Sequence, residues 1–315
     1  MSTKRLPSTL LEASRYFADL DVATQFVAEL RWPDGPECPV CGGKEHSYIT
    51  TRRLWKCKNK ECRRQFSVKQ GSIFEDSPIP LDKWLVAIWC IANSKNGISS
   101  HELGRAIGLT QKSAWFVLHR IRLAMQTGSF DRLDGEVEVD ETFVGGKTKN
   151  VHKTVKVRKG LDRAGTGGKA IVAGALQRGD DDGPSQVRAQ IVSNTRHGTL
   201  QKYVHANVEP GSKLYTDAHG SYTSLQGEYE HGVVDHATHY VNGRIYTNSL
   251  ENFWALLKRG IHGTYVQVDP EHLSRYIDER VFTFNLRKLT DLERFQTVLG
   301  RVAGKRLTYE QLTAH

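Results

Sequence analysis

No run of eighteen or more apolar residues occurs in the 315-residue chain, so no membrane-spanning helix is expected. The opening Met-Ser-Thr-Lys-Arg-Leu-Pro-Ser-Thr-Leu lacks the long apolar stretch of a secretory signal, which points to the cytoplasm. Internal repeats and low-complexity tracts are absent, and the length suits two or three domains. Cysteine is scarce, with five in all, yet four fall inside one short segment. In a reducing compartment such clustering argues for a metal rather than for disulfides. Acidic residues are outnumbered, 35 against 44 basic ones, for a formal net charge of +9 and a pI near 9.3. A surplus of that sign favours a polyanionic partner.

The apolar pattern divides the chain. Residues from about 9 to 32 carry Tyr16, Phe17, Leu20, Phe26, Val27 and Leu30 at helical spacing, and Arg31-Trp32-Pro33-Asp34-Gly35-Pro36 ends this helical segment, 1–36. An apolar helix over 81–91 follows the cysteines, then Ile98 to Thr110, then a helix from Gln111 to about Met125. The polar stretch 126–135 is the expected domain boundary. Beyond it, strand-like runs at 136–145, 169–177 and 185–193 are joined by loops, the first of which, Lys147 to Gly168, is long and rich in Lys, Arg and Gly. A helix over 198–206, a strand ending at Asp217, a short helix near 219–225, a strand near 233–235 and a helix carrying Glu251 complete the series. That order predicts a ribonuclease-H-like, retroviral-integrase-like domain over 134–290, a mixed α/β sheet with helices against it. Residues 291–315 read as a C-terminal tail.

Cys38-Pro39-Val40-Cys41 and Cys57-Lys58-Asn59-Lys60-Glu61-Cys62 form two knuckles fifteen residues apart. Tetrahedral Zn²⁺ takes four soft or borderline ligands, and two cysteines a few residues apart on a turn supply a pair at the correct angle. Gly42-Gly43 suits a tight first knuckle, while the second has four intervening residues where two is commoner. With Cys38, Cys41, Cys57 and Cys62 all present, one closed structural Zn²⁺ site is expected in a ribbon over 37–72, with strands at 53–56 and 64–68. His46 and His101 are spare candidate ligands. Arg52, Arg53, Lys56, Lys58, Lys60, Arg63, Arg64 and Lys69 crowd the ribbon, interleaved with Trp55 and Phe66. Phosphate contacts account for that charge, and a solvated surface tolerates it too. Cys90, on the apolar helix, reads as a core residue.

Within 78–127, Ser99 to Ile107, then Gly108-Leu109-Thr110 and a second helix, have the look of a helix-turn-helix. Thr110 is the expected N-cap, leaving Gln111, Lys112 and Ser113 at the N-terminal end of a recognition helix. An ordinary helical hairpin has the same periodicity.

Three acids stand at element ends. Asp140 interrupts the β-branched run Glu136 to Val144, Asp217 closes Ser212 to Thr216, and Glu251 lies at the start of a helix. Each has a plainer reading: Asp217-Ala218-His219-Gly220 is also a turn, and Asn248-Ser249-Leu250-Glu251 is also a capping box with Asn248 as N-cap. Lys258 follows Glu251 by seven residues, about two helical turns, so the two share a face, with Arg259 beside them. Alternation along a strand turns Glu141 away from Asp140 but keeps Glu138 on its face. Glu138, Asp235 and His236 are auxiliary candidates, whereas Asp180-Asp181-Asp182-Gly183-Pro184 reads as a solvated turn.

Five stretches together resemble bacterial insertion-sequence transposases of the DDE superfamily, in the branch with an N-terminal zinc ribbon. They are Arg31 to Gly35 with the cysteines, Glu138 to Lys147, Tyr215 to Tyr222, Thr247 to Gly260, and His272 to Glu279 running on to Phe284-Asn285, within 20–290. The resemblance implies that Asp140, Asp217 and Glu251 bind two Mg²⁺ (or Mn²⁺) ions and that Lys258 contacts DNA. Some members of the branch carry Asn at the third acid; this chain keeps Glu251. Double-stranded DNA, both transposon ends and target, is the implied partner, with at least a homodimer on paired ends and nucleoid association when acting. Two divalent cations activate the attacking oxygen of a phosphodiester exchange and stabilise the leaving one. Rival readings are a DNA-binding regulator with an inactive catalytic domain and a ribonuclease-H-like nuclease or resolvase that cuts without joining.

Overall fold

The computed structural model describes residues 5–126, 131–145, 169–180, 183–217, 220–225, 227–234 and 246–314. The basic loop expected over 147–168, Asp235 and His236, Asp181 and Asp182 of the acidic turn, and Ala218 and His219 lie outside the described residues. The chain divides into two compact units, residues 1–126 with 289–315, and residues 127–288. Among the described residues no helix is long and apolar enough to cross a membrane.

In the first unit, helices begin where the sequence offers caps. Thr9 and Glu12 make a capping box for α1 (Leu10–Phe17), and the Asp19 carboxylate accepts from the Asp21 and Val22 N–H groups at the start of α2 (Leu20–Arg31). The ribbon has three antiparallel strands, β1 (His46–Ile49), β2 (Leu54–Cys57) and β3 (Gln65–Phe66). Only the latter two are legible in the sequence, because His-Ser-Tyr-Ile is short and carries no apolar alternation. Trp55 and Phe66 are buried and pack with Trp32, at centroid separations of 5.4 and 5.9 Å, into a small aromatic core. Then come α3 (Leu81–Asn93), α4 (Ser100–Ile107) and α5 (Gln111–Met125), with Thr110 capping α5 through the Ser113 N–H.

The tail expected over 291–315 is instead folded structure within this unit. It holds α9 (Asp291–Leu299), started by a Thr290–Glu293 capping box, and α10 (Tyr309–Thr313). Phe295 is fully buried, 5.1 Å from the Trp89 ring and 5.6 Å from Phe17. The buried Arg120 guanidinium of α5 donates to the carbonyls of Leu307, Ile73 and Glu75, at 2.8, 2.9 and 2.7 Å. A lone nine-residue amphipathic helix is too short to stand without such packing.

The second unit is built on a five-stranded sheet of order β6-β5-β4-β7-β8. Central β4 (Glu136–Val144) pairs antiparallel with β5 (Ala170–Gln177), which pairs antiparallel with β6 (Gln186–Val192). On its other side β4 runs parallel to β7 (Lys213–Asp217), and β7 to β8 (Glu230–Val234). The last strand starts earlier than the expected 233–235, because its pairing with β7 begins at Lys213 opposite Glu230. Val137, Val139, Ala173 and Ala175 face α6 (His197–Asn207) through Leu200 and Val204. On the opposite face Val144, Val172 and Leu176 meet Leu250, Phe253, Trp254 and Leu257 of α7 (Asn248–Arg259) and Ile277 of α8 (Leu273–Asn285). The Asn285 side chain pairs with both the N–H and the C=O of Val187, at 2.8 and 2.9 Å, and so covers part of the β6 edge.

If α9 is part of the first unit's core, Phe295→Ala lowers its stability by about 3–5 kcal/mol in denaturant unfolding. A change below about 0.5 kcal/mol, the usual surface value, would restore the tail reading.

Candidate functional site

The ribbon gathers four sulfurs. Cys38 Sγ lies 3.7 Å from Cys62 Sγ and Cys41 Sγ 3.6 Å from Cys57 Sγ, and all four fall within 4.8 Å of one another. Four thiolates held at about 2.3 Å around a tetrahedral ion stand about 3.8 Å apart, so the cluster fits Zn²⁺. The two knuckles share a geometry: the residue after the second cysteine of each, Gly42 and Arg63, takes a positive φ, +69° and +47°. Glycine meets that demand without strain, and Arg63 meets it at some cost. Burial works against ionisation of Cys38, but hydrogen bonds from the N–H groups of Val40 and Cys41 and from the Cys41 and Cys62 thiols together bring it down to about 7. His46 turns its Nδ1 to the Lys44 carbonyl at 2.8 Å, and His101 is no part of the cluster.

The basic residues of the ribbon divide by role. Lys69 spends its ammonium on the carbonyls of Ser77 and Ile79, at 3.1 and 2.6 Å, and Arg53 pairs with Asp21 at 2.6 Å. Arg52, Lys56, Lys58, Lys60, Arg63 and Arg64 are exposed, whereas the interleaved Trp55 and Phe66 are interior. On α5, Gln111 and Lys112 are exposed, and the Lys112 ammonium sits 4.7 Å over the Tyr309 ring.

In the second unit the acids are set by strand register. Glu138 pairs with Tyr215 across the parallel β4–β7 ladder, so Asp140 and Asp217, each two residues further on, end up on neighbouring strands and on one face. That face is the one α7 covers. The Trp254 Nε1–H donates to Asp140 Oδ2 at 2.9 Å. Burial pushes the Asp140 carboxyl up to about 7; Glu141 and Asp217 push the same way, and the Trp254 N–H opposes them. Glu141 points to the other face, as alternation predicts, and accepts from the Tyr222 hydroxyl at 2.6 Å. Exposed Glu251 stands in the first turn of α7, with half-buried Lys258 near its end.

Opposite Asp140 in the β4–β5 ladder is Gly174, and this pairing is what admits the indole. A Cβ at Gly174 would come within 2.5 Å of Trp254 Cη2 and Cζ2 and 3.2 Å of Leu250 Cδ1. No side chain larger than hydrogen fits under the helix there.

The capping-box reading of Glu251 is overturned. The N-cap of α7 is Thr247, with no side-chain cap bond, and the Glu251 N–H already makes the helical bond to the Thr247 carbonyl at 3.0 Å. The cap comes from another strand: Glu138 Oε2 accepts from the Leu250 N–H at 2.9 Å. Glu138 Oε1 accepts from Arg178 Nε at 2.8 Å, and the carboxylate is fully buried. A carboxylate spent in this way is occupied by structure. Sequence alone hides this role, because a cap 112 residues distant leaves no local motif.

Among the described residues only the four cysteines bring three or more ligand atoms within 4.8 Å of one another, so Asp140, Asp217 and Glu251 are not drawn into so tight a set. Carboxylate oxygens are the donors that Mg²⁺ and Mn²⁺ prefer, and half-buried Asp140 presents one such group beside the Trp254 indole. The floor of this face is suited to a hard cation.

Comparisons with known proteins agree on the kind of chain. Residues 132–285 match the ISXO2-like transposase domain, and residues 20–65 match the transposase zinc-ribbon domain. An uncharacterized protein in transposable element ISH50 of Halobacterium salinarum is 24% identical over 269 residues, covering 81% of this chain and 87% of that protein. An uncharacterized transposase-like protein of Haemophilus influenzae is 32% identical over 101 residues, covering 32% of this chain and 81% of that protein. A chain of the simian T-cell lymphotropic virus intasome in complex with PP2A regulatory subunit B56 gamma gives a TM-score of 0.29 at 11% identity, over 57% of this chain and 63% of that one, too weak a likeness to define the fold.

Two outcomes follow from the geometry. The Cys38→Ser, Cys41→Ser double variant loses its zinc by elemental analysis, and full retention would refute the cluster. Gly174→Ala overpacks against the Trp254 indole and destabilises the second unit by about 1–3 kcal/mol in denaturant unfolding, whereas an unchanged midpoint would mean that the indole is free to move.

Proposed function

The chain belongs to the ISXO2-like insertion-sequence transposases, and from that premise we propose that it cuts DNA at transposon ends and joins the freed 3′-hydroxyl to target DNA. The observation that carries this reading is the register that sets Asp140 and Asp217 at equivalent positions on neighbouring parallel strands, with Asp140 bonded to Trp254 of α7, the helix whose first turn holds Glu251. The strand order, with the first strand of the sheet central and β5 alone running against the other four, supports a ribonuclease-H-like assignment for the domain.

Asp140, Asp217 and Glu251 would hold a pair of Mg²⁺ or Mn²⁺ ions, whose chemistry is to activate the attacking oxygen and stabilise the leaving one. Trp254 holds one oxygen of Asp140 in place. Lys258, two turns along from Glu251, is placed to meet a DNA phosphate beside the acids. Water attacks the phosphodiester at the transposon end, and the new 3′-hydroxyl attacks the target strand; no covalent bond to the protein is required.

The first unit supplies the grip on DNA. The exposed cations of the ribbon contact phosphates, and the α4–turn–α5 pair, with Gln111 and Lys112 at the exposed end of α5, reads the end repeat. Zinc in this scheme is structural. The chain acts as at least a dimer on paired ends, and at the nucleoid.

With end-repeat duplexes and Mg²⁺ or Mn²⁺, Asp140→Ala, Asp217→Ala and Glu251→Ala each lose cleavage and joining by about a thousandfold, roughly 4 kcal/mol of barrier, while binding end DNA normally. Undiminished joining by these variants would sink the site. Cleavage without joining by the parent protein would leave a nuclease.

A further inference from the structure

We propose that Glu138 and Arg178 form a positioning pair that sets where the three acids stand, and that neither residue is a ligand or touches DNA. The inference rests on the reading of Asp140, Asp217 and Glu251 given above.

Arg178, just after β5, touches two of the elements that carry those acids, β4 and β7, and the segment that leads into the third. Its guanidinium donates to Glu138 Oε1 at 2.8 Å and to Glu136 Oε2 at 3.2 Å, both on β4, with Glu138 two residues before Asp140. It lies 4.5 Å over the ring of Tyr215, two residues before Asp217 on β7. It also stacks 3.7 Å over Tyr246 and donates to the Tyr246 carbonyl at 2.7 Å, which fixes the segment entering α7 five residues before Glu251. A planar guanidinium with several donors can serve two carboxylates, a carbonyl and two ring faces at once, which an ammonium cannot.

Glu138 completes the link. Its second oxygen takes the Leu250 N–H at 2.9 Å, one residue from Glu251, at a helix end that has no cap of its own. Both carboxylate oxygens are thus engaged and fully buried, which removes Glu138 from contention as a ligand. What it controls is the azimuth and height of the first turn of α7. Residues that orient ligands in this way change metal affinity by about tenfold to a hundredfold when altered.

Two substitutions at Glu138 separate reach from charge. Glu138→Gln keeps the length and an oxygen for the Leu250 N–H, while Glu136 still pairs with Arg178. Glu138→Asp keeps the charge but draws back from the helix by about one methylene. Positioning through Leu250 therefore predicts that Gln outperforms Asp; a ligand or purely electrostatic role predicts the reverse.

The experiment uses the full chain. Mn²⁺ affinity is read from the electron paramagnetic resonance of unbound Mn²⁺, kcat and KM from end cleavage, and folding from thermal melts. Glu138→Asp is expected to bind Mn²⁺ about tenfold more weakly and to lower kcat at unchanged KM for DNA, with Glu138→Gln within about threefold of the parent. Arg178→Lys, which keeps charge without the fork, is expected to fall with Asp, and it carries the test if Glu138→Asp does not melt cooperatively. Asp equal to or better than Gln, or parental Mn²⁺ affinity in Arg178→Lys, overturns the proposal. If Asp140→Asn and Glu251→Gln also keep parental affinity and cleavage, the site itself is misassigned, a failure distinct from this one.

Discussion

The second unit depends on how one helix is fastened to one strand. Two side chains of β4, Glu138 and Asp140, accept hydrogen bonds from α7, one from a backbone N–H and one from the Trp254 indole. The indole reaches Asp140 only because position 174 on the neighbouring strand is glycine. Both acceptors are acids in low-dielectric surroundings, where an unpartnered carboxylate is expensive. Arg178 offsets that cost for Glu138, and breaking such a buried pair by removing one partner costs about 3–5 kcal/mol. Burial raises the proton affinity of Asp140, against the opposing bond from the Trp254 indole. Of these two acids on one face of β4, Glu138 is sealed by a cation of the chain itself and Asp140 is tied to an indole.

The first unit solves a different problem. Its ribbon has three short strands and an aromatic core of a few side chains, too little apolar area to hold on its own. A structural Zn²⁺ in such a setting contributes on the order of 10–16 kcal/mol of apparent binding free energy, which is folding free energy when no site exists in the unfolded chain. With the metal holding the ribbon, its outer face is free to carry charge that a packed surface would not tolerate. Exposed Arg and Lys accumulate there, while Lys69 and Arg53 are committed to bonds within the chain.

Much of this could be read from the chain itself, and the reasons are local. Helix starts at Thr9, Asp19 and Thr110 follow from capping chemistry within three residues. The cysteine cluster is legible because its ligands come in near pairs. Asp140 and Asp217 stand out because one interrupts a β-branched run and the other closes a strand-like run, and alternation correctly sends Glu141 to the far face. What was hidden depends on distant partners. Glu138 caps a helix more than a hundred residues away, Arg178 binds segments from three parts of the chain, and β1 forms only because β2 is beside it. Residues 291–315 look like a tail until Phe295 finds Trp89 and Phe17. The Glu251 capping box was a local motif that lost to a stronger, non-local cap.

The proposal that Asp140, Asp217 and Glu251 hold the cations that act on DNA, with Glu138 kept apart from them, meets its sharpest test in a metal-bound crystal. Anomalous diffraction at the manganese edge, from crystals of the full chain grown with Mn²⁺ and an end-repeat duplex, tests it most directly. The account predicts manganese peaks among Asp140, Asp217 and Glu251, next to the DNA phosphate, with Glu138 still bonded to the Leu250 N–H and Arg178. Manganese bound to Glu138, or peaks away from all three acids, would contradict it.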